Sequence, residues 1–190
     1  MNLPDIRHVV LYHMPFGTIE FNQMSGRAGR DGEPAHIHLL YSERDARINE
    51  RLLDAGAPER AELVTLYRAL QTIWRRNRGQ TGETFFSETD FDIAQMCLAI
   101  DARNPVDERA VPSGLGIFEE LGFVRVEGAG ETRRIEMVEH PGHVDLDRSI
   151  RYLEGLHARM EFTEFEAWAL TATAHDMLAR MNRPITPRVQ

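Results

Sequence analysis

Apolar and polar positions follow two different periods in the first third of the chain. The run RHVVLYHMP (7–15) is β-branched and closes on Met14-Pro15, which predicts a buried strand. FGTIEFNQMSGRAG (16–29) places Ile19, Phe21 and Met24 at helical spacing and breaks at Gly26 and Gly29. GEP (32–34) predicts a turn, and AHIHLLYS (35–42) a second strand. A strand–helix–strand unit of this length favours parallel pairing of its strands. Two strands are too few for an independent doubly wound sheet.

The remaining two-thirds is mostly helical in pattern. Ser42 suits an N-cap for ERDARINERLLDAG (43–56), which carries Ile48, Leu52 and Leu53 on one face and Gly56 as a stop. Pro58 opens a strongly amphipathic helix (58–76) through Leu63, Leu66, Tyr67, Leu70, Ile73 and Trp74. A loop is expected over 77–83, a capped helix over 89–100, a loop across NPVDERAVP, and a short helix over 113–123 stopped by Gly122. Residues 123–140 alternate apolar and polar on both sides of Gly128-Ala129-Gly130, the pattern of a β-hairpin. Three helices followed by a hairpin is the order of a winged helix. Two more amphipathic helices are expected over 145–160 and 161–181, before a proline-limited tail.

Composition narrows the chemistry. At 190 residues and 42% hydrophobic, the chain can build one large core or two small ones. No apolar run approaches the roughly 18 residues of a membrane span, and the N-terminus lacks a signal-peptide pattern. The single cysteine, Cys97, excludes an intrachain disulfide and reads as a small buried apolar residue; a cytoplasmic setting is the expectation. All 22 basic residues are arginine. Without lysine there is no Walker-A lysine for a nucleotide phosphate, no Schiff base and no lysine general base. The net charge of −8 is uneven: residues 1–80 hold 11 arginines against 10 acids, residues 81–190 hold 11 against 20. Phosphate contacts supply most non-specific DNA affinity, so any nucleic-acid contact is expected in the first eighty residues.

Two family resemblances follow from specific motifs. QMSGRAGRDGEPAHIHLLYSERD (23–45) resembles the final motor motif of RecQ-type helicases, including the Asp-Gly after the second arginine and the strand that follows. That resemblance implies that Gln23 faces the nucleotide, that Arg30 is the arginine finger, and that Arg27 pairs with phosphate or an acidic side chain. Arginine suits the task because its planar fork neutralises charge developing on a γ-phosphate. The chain holds no G-x-x-x-x-G-K-[ST] motif and no Asp-Glu-x-His box, so by itself it is not expected to hydrolyse ATP.

The second resemblance spans about residues 7–155. VVLYHMP, IHLLYS, PERAELVTLYRAL, FEELGF (118–123) and VDLDRSIRYLEG occur in an order similar to the C-terminal domain of RecJ-type single-strand-specific exonucleases. It implies a non-catalytic domain that orients single-stranded DNA, or recruits a repair partner, for a nuclease core in a parent chain. That core would use divalent manganese or magnesium held by an Asp-His-His centre. This chain has no such motif, and no catalytic residue, metal ligand or cofactor is expected in it. His140, His143 and Asp145 lie within six residues but in a Pro-Gly loop with no fourth ligand at useful spacing.

The combined expectation is an α/β (α+β) protein. A partial RecA-like strand–helix–strand unit (1–57) is followed by a winged-helix-like module (58–142) and a C-terminal helical segment (143–190). The leading functional expectation is the exonuclease-associated domain; the alternatives are a C-terminal fragment of a RecQ-type ATP-dependent helicase and a free-standing adaptor. Trp74 with Arg75, Arg76 and Arg78 is the candidate single-stranded-DNA contact, a base stacked on the indole with phosphates around it. The same residues also read as a core tryptophan and a solvated helix end. The acidic second half points to protein contact for the winged helix. His36 and His38 share one strand face, and Phe162, Phe165 and Trp168 read as packing against the 145–160 helix.

Overall fold

A computed structural model describes residues 6–128, 130, 133–139, 142 and 144–180, without the side chains of residues 43, 174, 178 and 180. The chain divides into two compact units, one of residues 1–50 and 157–190, the other of residues 51–156.

The first unit contains β1 (His8–Leu11), α1 (Thr18–Ser25) and β2 (His36–Leu39). The strands pair in parallel, with His8 opposite His36 and Leu11 opposite Leu39. The expected strand–helix–strand unit is present, although its elements are shorter than their patterns. Met14 and Pro15 are buried beyond the end of β1, where the chain turns into α1. The remaining apolar cover comes from α6 (Ile150–Thr171), whose residues from 157 onward belong to this unit. Phe162 packs on Phe16 with ring centroids 5.9 Å apart, and Phe165 and Trp168 lie 5.7 and 6.0 Å from Phe21. These three aromatics therefore do not pack against a separate 145–160 helix. No proline lies between Ile150 and Thr171 and Gly155 is the one glycine there, so residues on both sides of position 160 form one continuous helix. The break comes at Thr173, whose hydroxyl accepts the Asp176 N–H at 3.2 Å and opens α7 (Ala174–Arg180). Two polar bonds add to this packing: Tyr41 Oη donates to Glu166 at 2.7 Å, and buried Asn49 donates to the Met14 carbonyl at 2.8 Å. The helix α2 (Glu43–Gly56) leads out of this unit.

The second unit runs α3 (Arg60–Thr81), β3 (Phe85–Phe86), α4 (Asp90–Ile100), α5 (Val111–Glu120), β4 (Val124–Glu127) and β5 (Arg134–Met137). The sheet is antiparallel in the order β3-β5-β4, with Phe86 opposite Ile135 and Val124 opposite Met137. This is the winged-helix arrangement, completed by a strand that the sequence pattern did not reveal. Two residues are too short to display a period of two.

Local chemistry sets the helix ends. Glu62 accepts the Glu59 backbone N–H at 2.7 Å to open α3. The helix runs through the expected 77–83 loop as far as Thr81, and Gly82 ends it in the left-handed conformation at φ 75°. Thr89 caps α4 by accepting the Asp92 N–H at 3.1 Å. A 3-10 turn at Glu108–Ala110 leads directly into α5, so the region expected as loop is already helical at Val111. Leu66, Leu70 and Ile73 of α3 meet Ile93 and Cys97 of α4, Leu115 and Phe118 of α5, and Ile135 of the sheet in one core. Burial pushes the Cys97 thiol up to about 12, as a structural cysteine in apolar surroundings requires. Gly114 belongs where α5 crosses α3, because a Cβ there would overlap Leu66 Cδ2. Among the described residues no helix is long and apolar enough to cross a membrane.

Phe165 is 1% exposed. Phe165→Ala should destabilise the first unit by about 3–5 kcal/mol, read by chemical denaturation, with amide exchange accelerated in β1 and α1 but not in α4 or α5. Uniform acceleration in both units would contradict this assignment.

Candidate functional site

The arginine segment lies on the turn that leaves α1. The Gly26 N–H closes the helix on the Asn22 carbonyl at 2.9 Å. Gly29 and Gly32 take positive φ of 61° and 87°. At Gly29 the requirement is also steric, since a Cβ would come within 2.9 Å of the Glu33 carbonyl oxygen. The Gly29 N–H donates to the Ile6 carbonyl at 3.0 Å, and the His36 N–H donates to the Arg7 carbonyl at 2.7 Å. Both bonds tie the turn to the chain entering β1.

Asp31 fixes the turn from its other side. Its two carboxylate oxygens accept Arg7 Nη1 at 2.9 Å and Nη2 at 2.5 Å, and it also accepts the Glu33 N–H at 3.2 Å. The Arg7 guanidinium beside it lowers the Asp31 carboxyl from 3.8 to about 2. The aspartate of the Arg-Asp-Gly motif is therefore a structural clamp. Sequence reasoning noted the Asp-Gly but missed its partner, 24 residues away, because no local pattern marks a two-point Arg–Asp pair.

Gln23 at the end of α1 and Arg27 and Arg30 on the turn are all exposed. Arg30 Nε donates to the Gly26 carbonyl at 3.2 Å, folding the side chain back across the helix end. Gln23 and Arg27 make no side-chain hydrogen bond or ion pair among the described residues. The segment thus presents one amide and two guanidinium groups on a backbone pinned at Ile6, Arg7 and Asp31.

The other candidate group is held differently. Trp74 is half-buried against the second unit's core, and its indole N–H donates to the Thr84 carbonyl at 2.7 Å. The Arg78 guanidinium sits 5.1 Å over its ring and pairs with Glu139. Arg76 pairs with Glu88 at 3.0 Å. Arg75 is exposed. The tryptophan is a packing residue with one face covered by Arg78, and two of its three neighbouring arginines are met by carboxylates.

His8, His36 and His38 stand together on the exposed face of the β1–β2 pair, with His8 Nδ1 3.1 Å from His38 Nε2 and the His8 ring stacked on both others at 5.3 and 5.4 Å. Among the described residues no three histidine, cysteine, aspartate or glutamate side chains converge as metal ligands. His140 and His143 lie outside the described residues.

Removing the Asp31 charge should loosen this turn. Because the folded Asp31 pKa lies below 3.8, its pairing stabilises the fold above that value and is lost as pH falls from about 4 towards 2. Asp31→Asn should flatten that part of the acid-unfolding profile of the first unit and speed exchange of the Gly29 amide. An unchanged profile and unchanged exchange would remove Asp31 from the role of clamp.

Residues 1–32 match the helicase conserved C-terminal domain family. Over 74 residues the chain is 34% identical to a probable ATP-dependent DNA helicase, RecS, of Bacillus subtilis, a match covering 39% of this chain and 15% of that protein. It is 40% identical over 53 residues to the RecQ-like DNA helicase blm-1 of Caenorhabditis elegans, covering 28% of this chain and 5% of that protein. It is 44% identical over 50 residues to the RecQ-like DNA helicase BLM of Xenopus laevis, covering 26% and 4%. The chain spans at most a sixth of the length of these relatives. No solved structure matches it. The exonuclease resemblance, the leading expectation from sequence, finds no support in these comparisons, whereas the helicase resemblance does. Residues 1–32, which include the turn that carries Arg27 and Arg30, are thus similar to the helicase conserved C-terminal domain, and part of the chain is similar to RecQ-like helicases.

Proposed function

We propose that the first unit supplies the arginine-bearing end of the second motor lobe of a RecQ-type, ATP-dependent DNA helicase. Arg30 acts as the arginine finger, Arg27 as a second phosphate or carboxylate contact, and Gln23 as a nucleotide-facing amide. The observation that carries this reading is the pinned turn. Three exposed polar side chains sit on a backbone fixed by the Gly29–Ile6 bond and the Asp31–Arg7 pair. A finger works only if it is positioned before charge develops on the phosphate, and a clamped turn provides that order.

The chain contributes no phosphate cradle of its own, since it contains neither lysine nor a P-loop. Catalysis would require a nucleotide-holding lobe beside it, which would also hold the magnesium ion that neutralises phosphate charge. The two-stranded parallel β1–β2 sheet agrees with a partial lobe, because parallel sheets are ordinarily wider and covered on both faces. DNA binding would belong to the assembled motor. A single-stranded-DNA contact at α3 would rest mainly on Arg75, because Glu88 and Glu139 already meet Arg76 and Arg78.

Grafting tests this reading. Residues 7–42 replace the matching stretch of the Bacillus relative, and DNA-stimulated ATP hydrolysis is measured. The graft should retain activity, and Arg30→Ala within it should lower kcat by roughly a thousandfold with little change in KM. An active graft indifferent to Arg30→Ala would exclude the finger role. The 190-residue chain alone should hydrolyse no ATP.

A further inference from the structure

The second unit has the winged-helix order but the wrong charge for a DNA reader on its principal face. In helix-turn-helix proteins the second helix of the pair lies in the major groove, and phosphate contacts by cations position it. Here that helix is α5, and it carries no arginine between Val111 and Glu120. Its exposed ionisable side chains are Glu119 and Glu120. Glu120 is already engaged, accepting the Ser149 hydroxyl at 2.6 Å and the Ile150 N–H at 3.1 Å at the start of α6.

Beside α5 lies an open groove of about 780 Å³, bounded by the first turn of α4, one side of α5 and the strands of the wing. Among the described residues Glu88, Asp90, Asp92, Glu108 and Glu119 line it, against Arg133 and Arg151; Glu88 pairs with Arg76 and Asp90 with Arg133, which leaves Asp92, Glu108 and Glu119 without an arginine partner. Pro112 and the half-buried Val126 form a short apolar strip within the groove. Arg133 is the second element of a built site. Its side chain is only 10% exposed and lies 2.7 Å from Asp90 Oδ1, with Nη2 donating to the Glu88 carbonyl at 3.2 Å. Its buried Nε makes no hydrogen bond among the described residues. A buried donor of this kind is costly unless an acceptor completes it.

We propose that this groove binds an extended, arginine- or lysine-rich segment of a protein partner. The carboxylates attract the basic side chains, the apolar strip takes their aliphatic stems, and Arg133 Nε–H donates to a backbone carbonyl of the segment. Duplex DNA is disfavoured at the same surface, because Asp92, Glu108 and Glu119, none of them in an ion pair among the described residues, would face its phosphates. The assignment stands apart from the arginine-finger reading of the first unit, so either can fail alone.

The test uses the full chain and a fluorescein-labelled twelve-residue peptide of alternating arginine, leucine and glycine. Fluorescence anisotropy is read with the wild type, with a groove variant (Asp92→Asn, Glu108→Gln, Glu119→Gln), and with a charge-matched control (Glu83→Gln, Asp147→Asn, Glu154→Gln). Asp90, Glu88 and Glu120 are left intact because they hold Arg133, Arg76 and the start of α6. Asp92 and Glu119 accept only the Thr89 hydroxyl and the Val126 N–H, which the amides can still accept, and unchanged circular dichroism checks that the variant folds. The groove variant should weaken peptide binding by roughly tenfold, while the control retains most of the affinity. Pro112→Arg, at an exposed position of the groove, provides a second readout that leaves every carboxylate in place, and it should weaken the peptide with circular dichroism unchanged. A 20-base-pair duplex should fail to compete with the peptide at equal concentration. Absence of peptide binding, equal loss in the groove variant and the control, or displacement of the peptide by duplex DNA would each overturn the proposal.

Discussion

Two parallel strands and one helix cannot bury themselves, and the first unit depends on how that deficit is met. A parallel pair is normally covered on both faces, yet β1 and β2 leave His8, Val10, His36 and His38 exposed on one. The core forms instead from Phe16 and Phe21, near the N-terminus, and Phe162, Phe165 and Trp168, some 140 residues later. The clamped turn inherits its rigidity from that packing: α1 is fixed by Phe21, so the arginine turn that leaves α1 starts from a fixed point. The Arg7–Asp31 pair then fixes the far side.

The second unit solves its problem locally. Almost all of its core comes from residues 63–137, close in sequence and organised by ordinary caps and turns. Its charge, more than its fold, distinguishes it. The helix that a DNA reader would load with cations is acidic here, and two of the five arginines of α3, Arg76 and Arg78, are drawn into pairs with Glu88 and Glu139. The same architecture can serve nucleic acid or protein, and surface charge decides between them.

Much of the fold was legible because its signals are short-range. The spacing of Leu63, Leu66, Leu70 and Ile73 is the buried face of α3, and the alternation on either side of Gly128 is the wing. Three features were not legible. β3 is two residues long and has no period to detect. α3 outlasts its apolar pattern because Gly82, rather than the end of the pattern, stops it. α6 runs through a point where the amphipathic stripe changes partner, from Gly116 and Ala57 near Arg151 and Gly155 to Phe16 and Phe21 further along. A change of partner looks, in sequence, like a change of helix.

By itself the sequence determined the arginine motif, the lack of lysine and hence of a phosphate-cradling P-loop, the uneven charge, and the order of most elements. These depend on residue identity and on spacing within one or two turns. Only the tertiary structure decided that Asp31 is a clamp, that Trp74 is packing, that the late aromatics cover the first unit, and that five carboxylates gather beside α5. Each of these joins residues well separated along the chain. Such pairings are fixed by the burial of the whole core, which no local window of sequence contains.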